Sequence, residues 1–213
     1  MYIFGASGHG KVIASILLAK KRDLKGFIDD NPKATKLMGL PVYHSSEIKN
    51  IALEKSIIAI GDNRIRKQIA ENFKADFFSV IHPSAVICEN IIINKGTVVF
   101  PNAVINVDTV IGAHVIINSG AIIEHDCILE DFVHISPSVS IAGGVKVGEG
   151  THIGIGACVI PGITIGKWAA IGAGTVIIKD VPDFAVVVGN PGKIIKYQES
   201  PRSSKSPDFE APV

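Results

Sequence analysis

Cysteine, aromatic residues and net charge are all scarce in this chain of 213 residues. Its three cysteines, Cys88, Cys127 and Cys158, are widely spaced and form no CxxC. That argues against a disulfide framework and fits a reducing cytoplasm. Aromatics make up 6% of the residues, too few for a bulky aromatic core. The formal net charge is +1 with no basic block, which makes nucleic acid a poor partner. No uncharged apolar run reaches the roughly 18 residues of a membrane span, so membrane insertion is not expected. The opening MYIFGASGHGK lacks the basic and apolar regions of a signal peptide. What is abundant is aliphatic residues and 21 glycines, a composition suited to tight, repeated turns.

The repeat emerges when the chain is cut every six residues from Ala85. The blocks run AVICEN, IIINKG, TVVFPN, AVINVD and onward to TVIIKD without an insertion. In all sixteen blocks the third position is Ile, Val or Leu, from Ile87 to Ile177. Apolar residues on a helix recur at three and four, so period six fits no helix face. It fits a short strand plus a turn, with three units closing a triangular coil of about 18 residues and coils stacking about 4.8 Å apart. Residues 85–180 are thus expected to form a left-handed parallel β-helix of a little over five coils. Gly96, Gly120, Gly144 and Gly150 fall near block ends and suit the corners. A β-sandwich is the alternative, but its loops vary in length and this period does not.

Residues 1–80 read differently. Tyr2–Phe4 is a short strand, followed by the turn Gly5-Ala6-Ser7-Gly8-His9-Gly10 and a helical pattern over 11–21. Phe27-Ile28-Asp29-Asp30 is a strand ending in two carboxylates. Ser56–Ile60 is another, closed by Gly61-Asp62-Asn63; 64–73 reads as a helix and 77–81 as a last strand. Alternating strands and helices imply a Rossmann-like parallel sheet. Gly5 to Lys11 spells most of a P-loop, but Val12 stands where a Mg²⁺-binding Ser or Thr belongs. Nor is it the G-x-G-x-x-G of dinucleotide folds. What remains is a strand–turn–helix able to hold a phosphate on backbone N–H groups, or a glycine turn that only connects.

Seven histidines occur, and most on a β-helix are surface residues. His125 differs in falling at a block corner with Asp126 beside it. A carboxylate raises imidazole basicity, and a histidine near neutral pKa suits removal of a proton from an attacking amine. One coil past His125 is Gly143, where a glycine lets a backbone N–H approach a developing oxyanion, or serves only the turn. His152 lies one coil past His134 and is expected to stack on it. A γ-type carbonic anhydrase uses a similar prism, with two of its metal-binding histidines five residues apart; no pair here has that spacing. Cys127 at block position one faces the wall and is a poor nucleophile candidate.

The hexapeptide run resembles that of the hexapeptide-repeat acyltransferases. With Gly-Ala-Ser-Gly-His-Gly, Ile-Asp-Asp and Ala-Ile-Gly-Asp-Asn-Arg ahead of it, residues 2–195 resemble the sugar-nucleotide acetyltransferases of the PglD/NeuD type. The resemblance implies an α/β Rossmann-like nucleotide-sugar unit at 1–80 and an all-β left-handed β-helix at 81–195, and the Ser- and Pro-rich composition after Tyr197 implies a disordered tail at 196–213. It implies a cytoplasmic homotrimer with acetyl-CoA as cosubstrate in a groove between prisms, and no metal. Ser7, Gly8 and His9 would lie at the phosphates or sugar. Asp29 and Asp30 would reach the uracil and ribose, Gly61 would back the nucleotide, and Asn118 would lie near the acceptor. His125 would be the base and Asp126 its partner. His134, Gly143, Ile155, Ala173 and Lys193 would line the acetyl-CoA path. The implied reaction is N-acetylation of a UDP-linked 4-amino-6-deoxy sugar by direct attack. The alternatives are sugar O-acetylation, as on sialic acid, and a non-catalytic trimeric nucleotide-sugar scaffold.

Overall fold

The computed structural model describes residues 1–48 and 54–199. The N-terminal unit runs β1 (Tyr2–Phe4), α1 (Gly8–Ala19), β2 (Gly26–Ile28), β3 (Lys36–Leu37), β4 (Leu40–Tyr43), β5 (Lys55–Ile58), α2 (Asn63–Asn72) and β6 (Asp76–Phe77). The sheet order is β3-β4-β2-β1-β5-β6, parallel except for the β3–β4 hairpin. From central β1 the chain crosses first to β2 on one side and later to β5 on the other. This reversal leaves a crevice at the carboxyl ends of β1, β2 and β5, where open α/β sheets take their ligands. The residues at those ends are Gly5, Asp29 and Ala59.

Two local features depart from the expected pattern. Helix α1 starts at Gly8 rather than 11, so Gly8 and Gly10 lie in its first turn. A Cβ on Gly10 would collide with the Gly5 carbonyl, so only glycine lets the helix start this close to β1. The β3–β4 hairpin turns on Met38 and Gly39, both at positive φ (50° and 79°). That is a type I′ geometry carried by Met-Gly instead of the usual Asn-Gly signal.

The rest of the described chain is a three-faced parallel β-helix, left-handed as the period implied. Its first face climbs from Val80–Ile81 through Val98–Val99, Ile116–Ile117, His134–Ile135, His152–Ile153 and Ala170–Ile171 to Ala185–Val188. The second runs from Val86–Ile87 to Val176–Ile177, the third from Ile92–Ile93 to Thr164–Ile165. Partners on neighbouring rungs differ by 18 residues, as in Val98↔Ile116 and His134↔His152. The coil begins one block before Ala85, at Val80. At the far end an antiparallel strand, Lys193–Tyr197, edges the first face. Residues 200–213, most of the expected tail, lie outside the described residues.

Block position three points inward, and Ile105, Ile117, Ile123 and Ile135 are fully buried. Position one is also inward. Threonine hydroxyls there bond to carbonyls in three cases, Thr97 to Gly112, Thr109 to Glu124 and Thr151 to Gly166, whereas the buried Thr175 hydroxyl has no partner among the described residues. Position six is left-handed in every block from Asn90 to Gly174. Glycine, Asn or Asp fills most of these corners at low cost, whereas His114, Phe132 and Trp168 hold positive φ at a cost of roughly 1–3 kcal/mol each. These bulky residues share one column with Gly96 and Gly150. His114 and Phe132 stack with their planes 2° apart, and the Trp168 ring covers Gly150 where a Cβ would stand. Among the described residues no helix is long and apolar enough to cross a membrane.

Candidate active site

The His125 corner closes the second face. His125 Nδ1 and Asp126 Oδ2 are 2.7 Å apart, and both side chains are more than half exposed. A carboxylate only accepts, so the proton sits on Nδ1 and the Nε2 lone pair faces outward as a base. The hydrogen bond to Asp126 raises the His125 pKa above its usual value, helped by the Asp126 and Glu124 charges. Glu124 is itself held one coil back by the Asn106 amide at 2.8 Å, a contact the sequence reading missed. The coil arithmetic holds: Gly144 N–H donates to the His125 carbonyl, and a Cβ on Gly143 would fall 2.6 Å from His125 Cε1 and Nε2. Glycine is therefore required at 143 for the imidazole to lie over the backbone. Gly143 N–H has no hydrogen-bond acceptor among the described residues. Cys127, next in the chain, is fully buried with its thiol on the Ala142 carbonyl, and burial pushes its pKa up. It is not a usable nucleophile.

The second cluster surrounds the crevice of the N-terminal unit. Ser7 caps α1 in an extended conformation without a side-chain cap bond, and Ser7 and Gly8 are exposed. The Ser7 hydroxyl is thus left free of the cap at an exposed helix start, and a helix N-terminus of this kind can hold a phosphate on its first-turn N–H groups. Asp29 is braced: its Oδ2 accepts Ala6 N–H at 2.8 Å and its Oδ1 accepts Asn31 N–H at 2.9 Å. Its carboxylate therefore shapes the turn, with its remaining lone pairs and exposed Asp30 turned to a cavity of about 330 Å³. Gly5, Ile60, Ile65 and Ile69 share that cavity's lining. Asp62, which follows Gly61, caps α2 by accepting the N–H groups of Arg64 and Ile65.

His9 and His134 meet where the two units touch. The His9 ring packs on Phe100 with centroids 5.0 Å apart. His134 stacks on His152 with ring centroids 4.6 Å apart and planes nearly parallel, as the 18-residue spacing implied. The Gly61 carbonyl accepts from His134 Nδ1 at 3.2 Å, which places the proton there and leaves Nε2 a bare acceptor. His134 Nε2 and His9 Nε2 are buried without partners. Burial lowers the pKa of His9 to about 4 and of His134 to about 3, with positive neighbours adding to the effect. The group sequence reasoning missed is Arg66, which is 1% exposed. Its signal was faint: one of two arginines on an otherwise ordinary amphipathic helix.

The remaining residues divide between corners. Asn118, Ile155 and Ala173 lie on first-face blocks, at the corner between the first and second faces. Asn118 Oδ1 accepts Ser119 N–H, and Ile155 is 60% exposed. Lys193 is exposed on the final strand. His125 and Gly143 stand one corner further round, so a single prism does not bring all the expected residues together. Among the described residues, no grouping of His, Cys, Asp or Glu is placed to hold a metal ion.

Comparison with known proteins agrees with this architecture. Residues 1–73 match the family model described as PglD N-terminal domain. The chain is 41% identical over 103 residues to UDP-N-acetylbacillosamine N-acetyltransferase of Bacillus subtilis (strain 168), a match spanning 44% of this chain and about half, 48%, of that protein. It is 36% identical to a single-residue variant of perosamine N-acetyltransferase from Caulobacter crescentus, solved in complex with CoA and GDP-perosamine; 92% of this chain and 96% of that one are covered, with a TM-score of 0.86. The acetyltransferase domain of PglB from Neisseria gonorrhoeae FA1090 is 36% identical over 91% of this chain and 98% of that one, with a TM-score of 0.84. With this much identity over nearly its whole length, the chain belongs to the PglD-type sugar-nucleotide acetyltransferases of the hexapeptide-repeat superfamily.

Proposed function

We propose that the protein transfers acetyl from acetyl-CoA to the amine of a nucleotide-linked amino sugar, by direct attack in a ternary complex. The observation that carries this reading is the His125–Asp126 pair lying over Gly143 on an exposed corner. The amine attacks as its proton passes to His125 Nε2, while Asp126 holds the ring and stabilises the imidazolium. The Gly143 N–H, which has no acceptor among the described residues, donates to the oxyanion of the tetrahedral intermediate in this reading. The buried Cys127 thiol argues against an acyl-enzyme.

The nucleotide sugar lies over the crevice, with diphosphate at Ser7, Gly8 and His9, base and ribose by Asp29, Asp30 and Gly61, and the sugar toward Asn118. Acetyl-CoA follows His134, Gly143, Ile155, Ala173 and Lys193. The division of these residues between two corners supports a homotrimer, in which the His125 corner of one prism faces the Asn118–Ile155–Ala173 corner of the next. Exposed Val86 and Ile122 on the second face and Ile92 and Ile128 on the third supply apolar surface for that contact. The acceptor we favour is a UDP-linked 4-amino-6-deoxy sugar, since the 41% identical relative is named for a UDP sugar. The 36% identical structure that holds GDP-perosamine supplies the competing base.

Steady-state kinetics with acetyl-CoA and UDP-, GDP- and dTDP-linked amino sugars tests the proposal. N-acetylated product, with the UDP sugar preferred, is expected. Product acetylated on oxygen would replace the reading with O-transfer, and tight binding without turnover would leave a scaffold.

A further inference from the structure

Two side chains of α2 reach from the N-terminal unit to successive rungs of one corner of the prism. Arg66 Nε donates to the His114 carbonyl at 2.9 Å, and one terminal nitrogen donates to the Phe132 carbonyl at 2.7 Å. Asn63, one helical turn earlier, donates from Nδ2 to the Gly150 carbonyl at 2.9 Å. Residues 114, 132 and 150 are spaced by 18, so their carbonyls form a ladder along the bulky left-handed column. Asn63 Oδ1 accepts from Arg66 at 2.8 Å, joining the two into one unit.

The other terminal nitrogen of Arg66 turns back to its own domain. It donates to the carbonyls of Ile60 at 3.0 Å and Gly61 at 3.3 Å, at the end of the strand that bounds the nucleotide crevice. The Gly61 carbonyl is also the acceptor of His134 Nδ1. Among the described residues no carboxylate pairs with Arg66, and burial lowers its pKa to about 9, against the pull of Asp62. At neutral pH the guanidinium is charged and is satisfied by neutral oxygens alone. Such a buried cation is costly to retain for stability, since a well-packed apolar side chain often serves as well. Its forked donors instead specify one geometry between two rigid bodies.

We propose that Asn63 and Arg66 form a positioning clamp that sets the rung at which the nucleotide-sugar unit docks on the prism, and so aims the acceptor amine at the catalytic corner. The proposal rests on the reaction assigned above. The clamp touches neither acetyl-CoA nor the reacting atoms in that assignment; it acts through Gly61 and the attitude of α1. A slip of one rung, about 4.8 Å, would carry the amine out of reach, and displacements near 1 Å already cost about a hundredfold.

The test uses the full chain with Arg66→Lys, which keeps the charge and loses the fork, and Asn63→Ala, which releases one rung. Two acceptors are compared, a nucleotide-linked amino sugar and the free amino sugar, which lacks the part bound by the N-terminal unit. The clamp predicts a kcat loss of roughly 10- to 100-fold for the linked acceptor, with acetyl-CoA KM unchanged and turnover of the free sugar within about twofold. A general loss of structure would lower both acceptors equally, and that outcome overturns the clamp. Hydrogen exchange provides a readout independent of turnover: both variants are expected to exchange faster in α2 while the prism interior is unchanged. Unchanged exchange in α2 would also overturn it. If the wild-type chain acetylates neither sugar, the assigned reaction fails, and the exchange result alone decides whether the clamp exists.

Discussion

The two halves of this molecule assign roles to residues in opposite ways. In the prism a residue's environment follows from its place in a block of six. Position three is core, position six is a left-handed corner, and a partner lies 18 residues away. In the N-terminal unit each important side chain depends on one particular neighbour: Asp29 on Ala6, Gly10 on Gly5, Asp62 on the start of α2. Substitutions in the prism should therefore act by class of position, and those in the N-terminal unit one by one.

The largest effect is expected at His125, proposed above as the base. His125→Ala should lower kcat for acetyl transfer by about 10²- to 10⁴-fold while CoA still binds in calorimetry, the usual scale for a general base. Retained activity would remove His125 from the mechanism. Next is the positional rule itself. Ile135→Ala, at a fully buried position three, should cost about 2–5 kcal/mol in chemical denaturation. Lys146→Ala, exposed at position two, should stay within about 0.5 kcal/mol. Equal costs would break the distinction between inward and outward positions.

Gly143→Ala comes third. Its methyl group would displace the His125 ring, and kcat should fall roughly 10- to 100-fold with little change in melting temperature. A large drop in melting temperature would show instead that the glycine serves the turn. The fourth prediction concerns the seam between the halves. His9, His114 and His134 are held to about 4, 4 and 3, chiefly by burial. Each is neutral in the folded chain but takes up a proton on unfolding below its ordinary value of 6.5. Their contribution is complete above about pH 6.5 and declines as the pH falls toward about 4. Melting temperature should fall across that window, and a flat profile would contradict their burial. The smallest effect is at the partly exposed Lys67–Glu149 pair that bridges α2 and the prism. Glu149→Gln should cost no more than about 1 kcal/mol by thermal denaturation.

The prism was legible because its period is a one-dimensional property. Ile87 through Ile177 announce themselves by counting, and His152 on His134 and Gly143 under His125 follow by adding 18. The Asp126 contact was legible for the same reason, since its partner is adjacent in the chain. The β3–β4 hairpin was missed because Met38 adopts a conformation its residue type does not advertise. Arg66 was missed because nothing local distinguishes a solvated helix arginine from one that reaches carbonyls at positions 114 and 132. Asp29 was read as a ligand for a nucleotide, and local sequence held no hint that it first braces Ala6.

The repeat, the α/β order of the first 80 residues and the composition of the His125 corner were set by sequence alone, because each rests on spacing or on neighbours in the chain. Tertiary structure alone decided that Asp29 braces Ala6, that the His125 ring lies too close to Gly143 to admit a Cβ, and that Arg66 and Asn63 reach from α2 to the prism. Those outcomes depend on distances between residues far apart in the chain, which exist only once the coil has closed and α2 has docked against it.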